Sequence, residues 1–262
     1  MKLKIPKIAF KLPRFRAGMI VSFWIIVIGS LMSFVNDRQS KKICQRIDVS
    51  IDNELGNYFI EDVDVKNLMT YNFSENIENQ SHSFISLKEL ESRVKKHGFV
   101  ENVIVSKDYK GNLYVQVHQY KPMARLTART GSDKYISTSG KILPVSDRFT
   151  ARVLIIEGPF NAKLTQSDWN NDSLRTPYYQ FVKKINKDEF MQSMVASVFI
   201  NSKGEITILP QIGKQKIEFG TPENQELKFA KLNAFYQKII PVKGWNRYST
   251  VNLKYQNQII CE

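Results

Sequence analysis

Cysteine and histidine are scarce, two and three in 262 residues, and their scarcity excludes several chemistries at once. Cys44 and Cys261 form no Cys-x-x-Cys pair and show no metal-ligand spacing. A bridge between them is geometrically open, but unpaired or packing thiols are the preferred reading, so the fold must rest on its core rather than on staples. His82, His97 and His118 share no ligand spacing. They fall in a polar loop, near a helix end and on the polar face of a strand, and read as surface residues. Gly-x-Ser-x-Gly, Ser-x-x-Lys and Gly-rich phosphate loops are missing. The adjacent carboxylates Glu61 and Asp62 are better explained by a helix start than by acid–base work. No Lys/Arg stripe interleaved with aromatics argues for nucleic acid, and there is no internal repeat or low-complexity segment. The expectation is no catalytic residue, no cofactor and no metal. A hydrolase that assembles its groups from distant positions stays open.

Charge is missing where its absence counts most. Residues 17–35 are nineteen positions without one charged side chain. As a helix they would cover roughly 28 Å, close to the hydrocarbon core of a bilayer, and no other stretch is as long and apolar. Acidic residues are also absent before it: Lys2, Lys4, Lys7, Lys11, Arg14 and Arg16 precede the run. The following flank mixes Asp37 with Arg38, Lys41, Lys42 and Arg46. The positive-inside bias then puts the N-terminus in the cytoplasm and the bulk of the chain outside. The rival, a cleaved signal peptide, needs a shorter apolar core and a small-x-small site that Ser30-Leu31-Met32-Ser33 does not supply. A buried soluble helix would show a polar face. Of the net charge of +13, six positive charges precede residue 17 and seven are left for the rest. That modest excess suits an anionic lipid surface or an acidic partner.

Residues 46–51 alternate with period two and predict a strand. Residues 61–69 predict a helix with acids in its first turn, and residues 71–83 a polar loop. Ser86 and Glu89 make a capping box for the next helix, with Leu87, Leu90 and Val94 on one face. Gly98 fits a left-handed cap at its end, closed by an apolar contact from Phe99. Strands follow over 100–109 and 113–119 around a Lys110-Gly111-Asn112 turn. The order strand, helix, helix, strand, strand predicts one sheet with both helices on one face.

Lys121-Pro122 marks a boundary. Beyond it the expected strands are 134–136, 141–143, 152–156, 195–200, 206–209, 216–219, 248–255 and 258–261. Residues 174–194 are expected to be mostly helical. Thr221 and Pro222 are read as opening a last helix, which Pro241 ends.

The order of these elements resembles the FtsQ/DivIB family of bacterial cell-division proteins over essentially the whole chain. Gln119-Tyr120-Lys121-Pro122-Met123-Ala124 resembles the family's domain junction, with Gln119 in place of the usual acid. Tyr135-Ile136-Ser137-Thr138-Ser139-Gly140 with Pro144 resembles the hairpin after it, and Ile155-Ile156-Glu157-Gly158 the following apolar-x-Gly. Phe219-Gly220, the helix around Lys228 and Leu232, and Val251-Asn252-Leu253-Lys254-Tyr255-Gln256-Asn257 resemble the closing segment, with Asn252 and Lys254 replacing Asp and Arg. Gly98-Phe99-Val100 stands where many members have Pro-Val, and residues 71–83 look like an insertion.

The resemblance implies an α+β protein: a cytoplasmic tail (1–16), a transmembrane helix (17–35), a linker (36–44), a POTRA-like β-α-α-β-β domain (45–120) and a β-rich domain with helices (121–262). It implies a non-enzymatic scaffold of the inner membrane, with the bulk of the chain in the periplasm, that recruits FtsB- and FtsL-like single-span coiled-coil proteins, with other divisome members possible, and helps regulate septal peptidoglycan synthesis. Lys254, Tyr255 and Asn257 match the family's partner-binding segment. Gln258, Ile259 and Ile260 extend it by position. The plainer alternative is an inner strand whose apolar residues face the core. POTRA domains also serve envelope assembly and secretion machines, and that alternative is separated by the identity of the partner.

Overall fold

In the computed structural model the described residues are 14–40, 42–53, 56, 58–71, 74–170 and 172–262, with side chains in the first helix described for 18–31. That helix, α1 (Arg14–Ser40), contains the uncharged run. The tail expected before it lies, over residues 1–13, outside the described residues. The described side chains of α1 cover about 20 Å at 1.5 Å per residue. Met19, Phe23, Trp24 and Ile26 among them are exposed. Among the described residues no helix is long and apolar enough to cross a membrane.

A three-stranded sheet follows, built from β1 (Ile47–Asp52), β2 (Val100–Lys107) and β3 (Leu113–Gln119) in the order β1-β3-β2. β1 runs parallel to β3, with Ile47 opposite Leu113, and β2 is antiparallel to β3. Alternation along β3 buries Leu113, Val115 and Val117 against α2 (Asp62–Met69) and α3 (Leu87–Lys95). The strand–helix–helix–strand–strand order therefore matches the sequence pattern. The Asp64 carboxylate accepts from the Glu61 N–H at 2.9 Å, and Ser86 Oγ accepts from the Glu89 N–H at 3.4 Å. Only half of the expected capping box at Ser86 forms, because Glu89 turns instead to Arg93 at 2.7 Å. Arg93 is buried, with Glu75 as its second carboxylate at 2.6 Å.

Gly98 corrects an expectation. It does not take a left-handed φ, and α3 ends at Lys96 in ordinary helical geometry. What requires glycine is close approach: a Cβ there would lie 2.9 Å from Pro144 Cγ. Nor does Phe99 close a cap. It stacks on Phe59 with ring centroids 4.2 Å apart, inside a cluster shared with Tyr135 and Leu143 of the second sheet and with Ala151.

The second sheet comprises β4 (Pro122–Leu126), β5 (Lys134–Ser137), β6 (Ile142–Leu143), β7 (Leu154–Glu157), β8 (Val195–Ile200), β9 (Ile206–Pro210), β10 (Lys216–Gly220), β11 (Thr250–Asn252) and β12 (Ile260–Cys261). Their order is β12-β11-β10-β9-β8-β7-β4-β5-β6. Pro122, expected to end a strand, instead opens the inner strand β4, and it stands at that strand's first residue, where a missing N–H is tolerated. The strand expected over 152–156 starts later, at Leu154.

The predicted helical stretch 174–194 is two helices, α5 (Thr176–Lys187) and α6 (Glu189–Met194), preceded by the single turn α4 (Asn161–Leu164). Asp188 breaks the stretch by capping α6, its carboxylate accepting from the Met191 N–H at 3.1 Å. The last helix, α7 (Gln225–Ala234), starts after Asn224, three positions beyond Thr221. Thr221 is not its cap; its carbonyl accepts from Lys228 Nζ at 2.7 Å. Pro241 does not end the helical run either. A π turn, Phe235–Ile239, widens the spiral and leads into α8 (Ile240–Lys243), where Pro241 sits in the first turn and needs no donor. Phe181 of α5, Phe219 of β10 and Phe229 of α7 meet with ring centroids 4.9–5.5 Å apart, which fastens helices to sheet.

Candidate partner-binding edge

β12 is an outer strand of the nine-stranded sheet. Val251 faces Cys261, and Asn252 faces Ile260 across the antiparallel pair. Glu262 and Thr250 exchange both backbone hydrogen bonds, at 2.9 and 3.0 Å. In an antiparallel ladder the next residue points its N–H and C=O to the other side. The backbone of Cys261 therefore faces away from β11, toward open space.

The segment that carried the sequence expectation divides in two. Val251 and Leu253 are fully buried in the core, and β11 is an inner strand, so the plainer reading holds for that half. The expected strands over 248–255 and 258–261 are shorter than the pattern suggested. Lys254, Tyr255, Asn257 and Gln258 lie on the connecting turn and are exposed; Ile259 and Ile260 are half-buried at the start of the edge. Ile259 and Cys261 pack against the main core. Glu218 Oε2 takes both the last residue of β11 and the first charged side chain of the turn: it accepts from Asn252 Nδ2 at 2.9 Å and from Lys254 Nζ at 2.8 Å. The Glu218 hydrogen bond holds the Lys254 ammonium above its ordinary pKa.

Two further residues shape this edge. Lys231 Nζ donates to the carbonyl of Tyr255 and, at 3.4 Å, to that of Leu253, which pins the turn to α7. Gly220 lets β10 pass beneath Lys254; with φ at +76°, a Cβ there would lie 2.6 Å from Lys254 Cγ. Glu218 and Lys231 carried no sequence signal beyond their elements, since what they touch lies 22 to 36 positions away. Burial raises the Cys261 thiol, so it stays protonated at neutral pH.

Elsewhere, His82 is buried rather than on the surface, its Nε2 3.0 Å from the Gly111 carbonyl. His118 Nδ1 lies 3.4 Å from Asp52 Oδ2. Cys44 and Cys261 are free thiols. Among the described residues no three His, Cys, Asp or Glu side chains are grouped so as to hold a metal ion.

A family model described as FtsQ/DivIB, C-terminal related, matches residues 121–262, the larger sheet with its helices and the β12 edge. The chain belongs to the FtsQ/DivIB family. A model for a POTRA-like domain matches residues 42–118, the smaller sheet with α2 and α3. FtsQ/DivIB proteins are membrane-anchored division proteins, and neither domain family is enzymatic. No curated protein sequence matches the chain.

Proposed function

We propose that this FtsQ/DivIB protein is a bitopic scaffold of cell division that captures FtsB- or FtsL-like coiled-coil partners at β12 and so helps regulate septal peptidoglycan synthesis. In this reading α1 spans the inner membrane with the N-terminus in the cytoplasm, and both sheets lie outside. The observation that carries the binding step is the outward backbone of Cys261 on an outer strand. An extended partner segment adds to such an edge through main-chain hydrogen bonds, while side chains set its identity. Tyr255, Asn257 and Gln258 are exposed beside the edge and would supply those side-chain contacts. Lys254 does structural duty through Glu218 and contributes less.

In-cell photocrosslinking from position 257, with mass spectrometry of the captured chains, tests the reading. Small single-span coiled-coil proteins are the expected catch. A protein-export component would replace the division reading with a secretion one. Capture of nothing by a folded, membrane-inserted protein would move the partner surface elsewhere.

A further inference from the structure

The smaller sheet has two unlike ends. At one, Asp52 and Gln119 finish β1 and β3, and the chain passes on to β4 and the larger sheet. At the other, β1 begins just after α1, beside the β2–β3 hairpin. Three separate segments meet at this second end. Ile43 bridges to Ser81, the His82 N–H donates to the Lys42 carbonyl at 2.9 Å, and the Gln45 N–H donates to the Gly111 carbonyl at 3.3 Å.

Each of the three segments holds an apolar side chain out into solvent: Phe84 is 84% exposed, Tyr109 70% and Ile43 49%. Hydrogen bonds hold the backbone at these positions. The Phe84 N–H donates to Ser81 at 3.0 Å, buried His82 ties the 82–84 turn to Gly111, and Asp108 Oδ1 accepts from the N–H groups of Lys110, Gly111 and Asn112 at 2.7–2.8 Å. One exposed aromatic residue is ordinary; three apolar side chains on three tethered segments at one end form a surface. Lys42, Lys107 and Lys110 are exposed around it. The nearby acids are Asp108, whose carboxylate is taken up by the hairpin, and exposed Glu78.

Covalent geometry limits how far this surface can lie from α1. From the last residue of the uncharged run to Ser40 the helix rises about 7.5 Å, and two Cα steps to Lys42 add at most about 7.6 Å. The headgroup layer on each side of a bilayer is roughly 5–7 Å thick. We propose that Phe84, Tyr109 and Ile43, ringed by Lys42, Lys107 and Lys110, form a membrane-resting surface that inserts into the outer headgroup layer of the bilayer crossed by α1. Aromatic side chains favour that layer, and the lysines meet anionic headgroups. The surface would orient the smaller sheet on the membrane and hold the β12 edge on the far side. The inference rests on α1 spanning the membrane.

The test uses the full chain in vesicles of phosphatidylethanolamine and phosphatidylglycerol, with p-benzoylphenylalanine in turn at positions 24, 84, 109 and 199. After illumination, peptides are searched by mass for attached lipid. Lipid at 24, 84 and 109, and none at 199 on β8, is the expected result. Position 84 decides: lipid at 24 without lipid at 84 overturns the membrane-resting surface while leaving the span intact. Attachment at 84 to a protein chain instead of lipid overturns it as well. No lipid at 24 overturns the span, and this inference with it.

Discussion

Tyr255 is half exposed on a turn whose backbone is already held by Lys231, so its side chain contributes little to the fold. Tyr255→Lys should change unfolding free energy by no more than about 0.5 kcal/mol, as for surface positions generally. It should abolish recruitment of the coiled-coil partners, read as loss of their septal fluorescence; normal recruitment would remove Tyr255 from the binding edge. Gly158 behaves in the opposite way. Its φ is +119° and a Cβ would lie 2.1 Å from the Ile200 carbonyl oxygen, between β7 and β8. Gly158→Ala should cost at least about 2 kcal/mol in chemical denaturation, since backbone strain and a backbone clash act together. In the sequence Gly158 is visible only as the glycine that follows the apolar run Ile155-Ile156. Gly98 was equally visible in the sequence, but its reason was not: Pro144 lies 46 positions away, and no local pattern reports a contact of that kind.

Elements were legible where period and turn chemistry agree. β1, β3 and α2 lie within a residue or two of their expected bounds because alternation and first-turn acids are local signals. The failures fall where distant groups override local preference. Asp188 splits one amphipathic stretch into α5 and α6, a π turn carries the last helix past Pro241, and Glu218 holds Lys254 on the turn that follows β11. The join between α2 and the β6–β7 connection was also invisible. There Arg148 donates to Asp64 and lies 3.8 Å from Glu61. The Arg148 hydrogen bond holds the Asp64 carboxyl below its ordinary pKa, and half-buried His97 is the other titratable group facing it. A carboxyl lowered in the folded state stabilises fully above its unfolded pKa near 3.8 and loses that contribution as pH falls through the folded value. Arg148→Ala should therefore lower the melting temperature at pH 7. The difference from wild type should shrink to nothing as the pH is taken below 3.8. A difference that persists in acid would assign Arg148 a packing role instead of a charge role.

At the scale of the molecule, the question is whether the two sheets turn together. Only Tyr120 and Lys121 separate β3 from β4, which limits reach but not rotation. Rotation is limited by the shared cluster, where Phe59 and Phe99 from the smaller unit meet Tyr135, Leu143 and Ala151 from the larger one. Phe59 is its centre: it stacks on Phe99, stands edge-on to Phe149 at 5.0 Å and to Tyr135 at 6.0 Å, and is buried. A scaffold that holds a partner at β12 at a set height above the membrane needs this joint stiff, because a loose one would let the edge sweep a wide arc. Truncating a buried Phe costs about 3–5 kcal/mol, and here the loss falls on coupling between units rather than on either core. Phe59→Ala should thus split one calorimetric unfolding transition into two, with the larger unit's transition staying near its original temperature. In cells the same variant should still capture partners from position 257, since β12 is untouched, but with a broader distribution of β12 heights in distance measurements between a spin label at 257 and the bilayer. A single sharp transition that only moves down in temperature would mean that the units are coupled through β3–β4 and the clasp at Asp64, with Phe59 serving as ordinary core.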